Sequence, residues 1–587
     1  METKKEQRLL WVGVIAQLLC LSSVLWAVPK TADEAVLVVQ GWLYSSGRPL
    51  DENLGYQVGD VNTFTDPNGN PLFYVANLVP SGFVIVSADD LIEPIIAFAD
   101  DGRYEDSSDS PLGALVNHDL PLRMIEAQAM QRGHSKRIHA LSTDGTARQW
   151  GSAQEKWEHL LESSDGPRFR EESPSMDARD LSIAGAGYLS INDMRVSPLT
   201  LSKWGQTTCE IAQTDMACYN YHTPHVYWVT YPDTYEVRWL DGDPDNFPCG
   251  CAATAMAQLM FFHRHPQDAV GTKEFEIHYT LPLLSESATN DTYHEATDMV
   301  SLRGGDGVGG PYQWNLMAND PSSPFVYDHL NDGLKAIGAL CCDAGVSINM
   351  AYGPHGSAAD TLDAADAFKD TFHYANAVKG CRLTLDLGTP TLADIGPDLN
   401  TMINPNLDAG HPVILGIRGP DGGHAVLADG YGYQHSTLYH HLNMGWRGGD
   451  DAWYNLPAID SSYEFNVIQK CVYNIFPSKQ GEIISGRVLN QGVPVPNVQV
   501  QTTIESWTCR GTGRNTMCLG SSYTIADVTD HNGIFALVGV PSDYTCVVQA
   551  IPIGQLLRLD SQTVTTGSSQ DYATTCGNVW AVNFYAQ

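Results

Sequence analysis

Cys251 and His424 are the residues whose chemistry stands out, because a thiol and an imidazole can serve as nucleophile and proton carrier. Cys251 lies in Asn246-Phe-Pro-Cys-Gly-Cys251-Ala-Ala-Thr-Ala-Met-Ala-Gln-Leu-Met-Phe-Phe-His263. Asn246 is a good N-cap type, Pro248 suits a first turn, and no Gly or Pro interrupts Ala252 to Phe262. The pattern predicts a thiol at a helix N-terminus, where unpaired amides and the macrodipole favour thiolate. A core helix with a structural cysteine has the same pattern. His424 heads the apolar run of Gly422-Gly-His-Ala-Val-Leu-Ala-Asp-Gly430, where two glycines leave room for a substrate backbone. Among 19 histidines, a structural role is the commoner outcome for one so placed. Asn443 sits on the next strand, where a hairpin-like return brings its amide beside His424, and Trp446 could shield that contact from water. Gln206 is the candidate side-chain donor to an oxyanion, beside the backbone amide of Cys251.

These residues fall in a region, 198 to 477, that reads as helix first and sheet afterwards, an α+β pattern. Helices are expected at the Cys251 stretch and over Val326 to Cys341. Strands are expected over Val346 to Met350, Pro412 to Ile417, His424 to Asp429, Leu438 to Asn443 and Val467 to Phe476. Upstream, 28 to 127 reads as a small α+β domain, with a helix over Ala32 to Tyr44 and strand-like runs at 71–77, 82–87 and 92–98. A polar connector, 128 to 197, follows, exposed and protease-sensitive, with a helical piece at Ala153 to Leu161. Downstream, 481 to 587 has short strands spaced by turn residues, the rhythm of a β-sandwich.

At 587 residues the chain is too long for one core. With 43% apolar and 17% charged residues it is globular, and a net charge of -35 argues against a nucleic-acid partner. Residues 1 to 27 read as a secretory signal, with Lys4, Lys5 and Arg8 before the apolar run Leu9 to Leu21 and a cut after Ala27; a retained anchor is the alternative. No later segment has the roughly 18 apolar residues a membrane helix needs. The expectation is an exported protein, extracellular or periplasmic, with no membrane partner once the signal is removed. Of 13 cysteines, 12 follow Cys20, so disulfides are expected, although their connectivity is not readable. A metal clip at Cys249-Gly-Cys251 is disfavoured because His263 and His265 lie at the far end of the helix, about 18 Å away. Asp241-Gly-Asp-Pro-Asp245 starts like a calcium loop but has Asn246 and Ala252 at its sixth and twelfth places, so a solvated turn is expected.

The segments Trp204-Gly-Gln206, Gly250-Cys-Ala-Ala-Thr-Ala-Met-Ala-Gln258, Tyr312-Gln-Trp314, Ala344 to Pro354, Gly423-His-Ala and Asn443-Met-Gly-Trp446 together resemble the streptopain family of bacterial cysteine peptidases, in the same order. Leu72-Phe-Tyr-Val-Ala-Asn and Gly82-Phe-Val-Ile-Val-Ser-Ala-Asp89 resemble that family's inhibitory prodomain. The resemblance implies a papain-like fold and a Cys-His mechanism with no metal or organic cofactor. It implies Cys251 as nucleophile, His424 as general base and acid, Gln206 as oxyanion donor, and Asn443 and Trp446 in the loop beside the histidine. It selects Cys251 over Cys249, which is left as a candidate for a disulfide to Cys209 or Cys218. Met444 and Arg447 depart from the family's Trp and Gly and would orient the histidine less rigidly. The end region resembles the carboxypeptidase regulatory-like sandwich, and its four cysteines could form two bridges.

The expected protein is a secreted cysteine endopeptidase made as an inactive precursor: signal 1–27, inhibitory prodomain 28–127, connector with processing site 128–197, papain-like domain 198–477 and β-sandwich 481–587. Its partners would be protein or peptide substrates and its own prodomain as intramolecular inhibitor. Two other classes fit the same residues: a homologue weakened through Met444 and Arg447 that acts as a binding or adhesion protein, and an inhibitor of other proteases acting through the N-terminal domain alone.

Overall fold

The computed structural model describes residues 29–107, 110–131, 153–164, 193–230, 234–282, 293–323, 329–386, 389–419, 422–456, 467–510, 517–554 and 557–586. The leader expected at 1–27 and much of the expected connector lie outside them.

The N-terminal part begins with α1 (Ala32–Ser46), whose start is a capping box: the Glu34 amide donates to Thr31 Oγ1 at 3.2 Å and the Thr31 amide to Glu34 Oε2 at 2.9 Å. Four antiparallel strands follow, β1 (Gln57–Thr65), β2 (Pro71–Val79), β3 (Phe83–Ser87) and β4 (Ile95–Ala99), then α2 (Pro111–Gln131) and α3 (Ala153–Glu162). The β3 and β4 strands are buried throughout, as continuous apolar runs covered on both faces should be. Helix α3, expected within an exposed connector, instead inserts Trp157 and Leu160 into the core with Trp42 of α1. A tryptophan large enough to fill that gap outweighs the polar composition around it.

The central part adds β5 (Asp193–Val196), the hairpin β6 (Thr208–Ile211) and β7 (Thr214–Ala217), then α4 (Cys251–His263) and α5 (Leu330–Ser347). Strands β8 (Asn376–Asp386) and β9 (Thr389–Ala393), helix α6 (Leu399–Asp408), and strands β10 (Val413–Gly419), β11 (Gly422–Gln434), β12 (Thr437–Asn443), β13 (Ala452–Tyr454) and β14 (Ile468–Phe476) complete it. The strand expected over Val346 to Met350 is not formed. Helix α5 runs through Ser347, because packing against α4 outweighs β-branched propensity, and only Ala351–Tyr352 pairs as strand. The fold is mixed α+β, with one helical core around α4 and α5 and a sheet beside it.

That sheet does not stop at the N-terminal part. It has twelve strands in the order β1-β2-β3-β4-β13-β12-β11-β10-β14-β8-β9, with β5 paired to β11. The junction is the pairing of β4 with β13, Phe98 opposite Trp453 and Ala97 opposite Tyr454. The last part comprises β15 (Glu482–Asn490), β16 (Val498–Arg510), β17 (Met517–Val528), β18 (Ile534–Val540) and β19 (Thr545–Pro552), with short strands beyond. They form two four-stranded sheets that share a core of Ile484, Val488, Val500, Phe535 and Val548. In this sandwich Cys509 stands opposite Cys518, whereas Cys576 turns to the central part and donates to Thr401 O at 3.4 Å. Two bridges within the end region therefore do not fit.

A buried ion pair locks the sheet junction. Arg123 of α2 holds Asp119 at 2.7 Å and donates to the side chain and carbonyl of Asn455, while the Tyr454 hydroxyl donates to Asp119 at 2.6 Å. Removing one partner leaves a buried charge unpaired, so Asp119→Ala is expected to destabilise the full chain by about 3–5 kcal/mol in urea unfolding. The double change Asp119→Leu with Arg123→Met should recover most of that loss.

Candidate active site

Cys251 is the first residue of α4. Gly250 precedes it at φ 92°, a conformation L side chains rarely adopt, and a Cβ there would lie 2.8 Å from Met350 Cε and 2.9 Å from Ser357 O. The cap is thus this glycine and not Asn246, whose side-chain amide donates instead to Leu240 O and Asn220 O and pins the incoming loop. Ten consecutive residues, Ala252 to Phe261, are buried, so α4 is a core helix that presents its N-terminal thiol at the edge of its own core.

The Cys251 sulfur accepts the Ala425 amide at 3.3 Å, which sets it one residue from His424 although 173 positions separate the two in the chain. Burial raises the thiol above its ordinary range, against the opposing pull of the Ala425 and Ala252 amides. Along β11, Ala425 and Leu427 face the α4 core, while Val426 and Ala428 face the second core on the other side of the sheet. Strand alternation puts His424 on that second face. There α2 lays Leu112, Leu115 and Val116 against the same sheet. Asp450, which accepts from Ser110 at 2.6 Å beside the start of α2, feels the His424 imidazole electrostatically. The sulfur thus meets the backbone of β11 beside His424, whose side chain alternation turns toward the second core.

Asn443 is not beside His424. It stands opposite Leu427 and belongs to the α4 side, where Gln258 Nε2 donates to its Oδ1 at 3.0 Å and its own Nδ2 donates to Ser202 O at 2.8 Å. Ser202 Oγ closes the ring by donating to Gln258 Oε1 at 2.8 Å. The reason is again alternation, since residues paired across strands share a face. Gln206 lies in the segment held by this ring, and its carbonyl accepts the Cys249 amide at 2.8 Å, so it borders the loop that carries the thiol. Trp446, half-buried, packs with the second core, and Met444 is fully buried there. Arg447, at φ 58°, donates its amide to Trp204 O and lies over Gly205. The site therefore gathers Cys251, Gln206 and Asn443 on one face and His424 and Trp446 on the other. Gln258 was visible in sequence as the lone amide side chain on an apolar helix, seven residues and two turns beyond Cys251, but its partners were not.

A second pair, Asp429 and His441, lies outside the motifs of the sequence. His441 Nδ1 lies 2.6 Å from Asp429 Oδ1, and Asp429 also accepts the Thr200 amide at 2.9 Å. Burial works against charging His441, yet Asp429 overcomes it and pushes the imidazole up to about 9. Its folded value exceeds the ordinary value near 6.5, so the pair's contribution to stability is complete below that pH and is lost as pH rises through about 9. The difference in unfolding free energy between the unaltered chain and His441→Gln should therefore shrink steadily from pH 6.5 to 9. A constant difference would contradict the pairing.

Residues 215–454 match the model of the Peptidase C10 family, and residues 27–118 that of the Spi protease inhibitor. The chain is 28% identical over 239 residues to streptopain of Streptococcus pyogenes, covering 39% of this chain and 52% of that protein. It is 27% identical over 201 residues to the thiol protease/hemagglutinin PrtT of Porphyromonas gingivalis, covering 34% of this chain and 19% of that one. Among solved structures, a prointerpain A fragment of Prevotella intermedia aligns at a TM-score of 0.41 and 18% identity, over 71% of this chain and 98% of the fragment. The chain spans about half the length of the streptopains it matches.

Proposed function

We propose that the chain is a cysteine endopeptidase made as an inactive precursor, acting on peptide bonds of protein substrates and exported from the cell. One observation carries this reading: a helix-start thiol bonded to the amide that follows His424. In the reaction, the Cys251 thiolate attacks the peptide carbonyl and forms a tetrahedral intermediate. The Cys251 amide and the Gln206 side chain stabilise its oxyanion. His424, holding the proton taken from the thiol, gives it to the leaving amine as the C–N bond breaks. Water, deprotonated by His424, then cleaves the thioester and returns the thiol. Asn443 acts in this scheme through Gln258 and Ser202, holding the Gln206 segment against α4. Trp446 shields the histidine side.

The N-terminal part suits the role of intramolecular inhibitor. Its sheet is continuous with that of the central part at Phe98 and Trp453, and its α2 covers the face that bears His424. Release of α2 would remove the partner of Asp450 and let the imidazole cross to the sulfur. The end domain, in this reading, is an accessory sandwich of the carboxypeptidase regulatory-like kind, and 1–27 is the export signal. No helix among the described residues is long and apolar enough to cross a membrane.

In hydrolysis of an unfolded protein substrate, Cys251→Ala should abolish turnover and leave the precursor uncut, while His424→Ala should reduce turnover by about 10²–10⁴-fold. Unchanged turnover in His424→Ala, or maturation of Cys251→Ala at the normal rate in a purified sample, would contradict the scheme. A folded chain that hydrolyses nothing even after removal of its N-terminal part would instead be the binding homologue.

A further inference from the structure

Six cysteines with no solvent exposure lie in one core beneath the candidate nucleophile; Cys381 stands apart on β8 opposite Lys470, which leaves Cys209, Cys218, Cys249, Cys341 and Cys342. Cys251 is not needed to account for any of them. In the β6–β7 hairpin Cys209 stands opposite Met216 and Thr208 opposite Ala217, so Cys209 and Cys218 share a face on the diagonal, and their thiols contact each other. Along α5, Gly338, Cys341 and Gly345 share another face. A Cβ on Gly338 would come 2.7 Å from Cys218 O, and one on Gly345 would come 3.4 Å from Cys249 O, so the two glycines bring the helix down onto both loops. Cys341 stands between them with its thiol against that of Cys249. Cys342 turns aside to His222 O at 3.3 Å. The four remaining thiols thus fall into two pairs, each joining parts of the chain that do not otherwise bond covalently. Cys249 is placed against Cys341 and not against Cys209 or Cys218 as the sequence had suggested.

We propose that Cys249–Cys341 and Cys209–Cys218 are two disulfide sites, formed by thiol–disulfide exchange with a low-molecular-weight disulfide such as oxidised glutathione. In each, one cysteine thiolate attacks the reagent, forming a mixed disulfide and releasing one small thiol. The second cysteine then displaces the other small thiol as the new S–S bond forms. Two electrons and two protons pass from the protein to the reagent, which leaves as two thiols. In the open chain either member of a pair can attack first, since both thiols are then accessible and in the ordinary range. Burial holds Cys218 and Cys341 well above that range, so exchange takes place as the chain folds, before the core closes. The first bridge would tie the loop carrying Cys251 to α5, and through the Cys249 amide would hold the Gln206 carbonyl as well. Cys251 stays out of both, its sulfur turned to Ala425. A shared metal is a poor alternative, since among the described residues no three His, Cys, Asp or Glu side chains could hold an ion together.

The test is a peptide map of the full chain folded with oxidised glutathione and, in parallel, with dithiothreitol. Each sample is alkylated, denatured and cut after Asp and Glu, which separates Cys209 from Cys218. The expected result in the oxidised sample is one cross-linked species joining the Cys249 and Cys341 peptides and one joining the Cys209 and Cys218 peptides, with Cys251 alkylated. Oxidation should also raise the melting temperature, and Cys341→Ala should lose the first cross-link and part of that rise while keeping the second cross-link. Alkylation of all four cysteines in the oxidised sample, a bridge from Cys249 to Cys209, Cys218 or Cys251, or retention of an equivalent of zinc on these thiols would overturn the proposal. None of these readouts depends on peptidase activity. Should Cys341→Ala fail to fold, fragmentation of the cross-linked peptides of the unaltered chain, which tells Cys249 from Cys251 and Cys341 from Cys342, still decides.

Discussion

The contact of α4 with one face of β11 is the constraint on which the rest depends. It is apolar nearly everywhere, and Ala425 and Leu427 press into the core that α4 fills. Apolar packing alone is tolerant of small shifts along and around a helix. The ring of Gln258, Asn443 and Ser202 removes that tolerance, because each of these buried amide and hydroxyl groups loses a partner if α4 turns or slides. The position of the Cys251 sulfur against the Ala425 amide follows from it, and so does that of the Gln206 segment, whose carbonyl meets Cys249.

The N-terminal part uses the opposite face of the same strand. It adds its strands to the sheet edge at β13, and α2 then fills the second core against Val426 and Ala428. The backbone pairing gives affinity without demanding a particular side-chain sequence, as in other cases of strand addition. The side-chain lock is supplied by Arg123, Asp119 and Asn455. In the proposed scheme, a filled core on the far face of β11 would keep the His424 side chain from the Cys251 sulfur and so hold the precursor inactive. This gives the Ser110–Asp450 contact its place beside His424.

Much of this was legible in sequence. The helix at Cys251, the strands carrying His424 and Asn443, and β2, β3 and β4 of the N-terminal part are readable from periodicity and turn residues, because each is a local property, whereas the polar, largely exposed β1 is not. Which face of β11 the histidine occupies was not. Alternation places 424 opposite 425, but which of these meets α4 depends on a packing between residues far apart in the chain. Asn443 was assigned to the histidine on the strength of adjacent strands, and its register opposite Leu427 sends it to the thiol side instead. Helix α3 has the composition of a connector but the packing of a core helix, because one tryptophan among charged residues carries little weight in composition and a great deal in a core. The pairing of thiols in the α5 core likewise needed the hairpin register and two helix glycines, neither of which has a sequence signature.

In the proposed scheme Cys251 and His424 form a working pair only when the far face of β11 is uncovered. The rate of Cys251 alkylation by iodoacetamide as a function of pH measures this directly, in the full chain and after removal of its N-terminal part. In the full chain the rate should rise in a single step on the alkaline side, as for a buried thiol. After removal a plateau should extend to low pH, and His424→Ala should lack it. The same profile in both forms, with His424→Ala indistinguishable from either, would contradict the account.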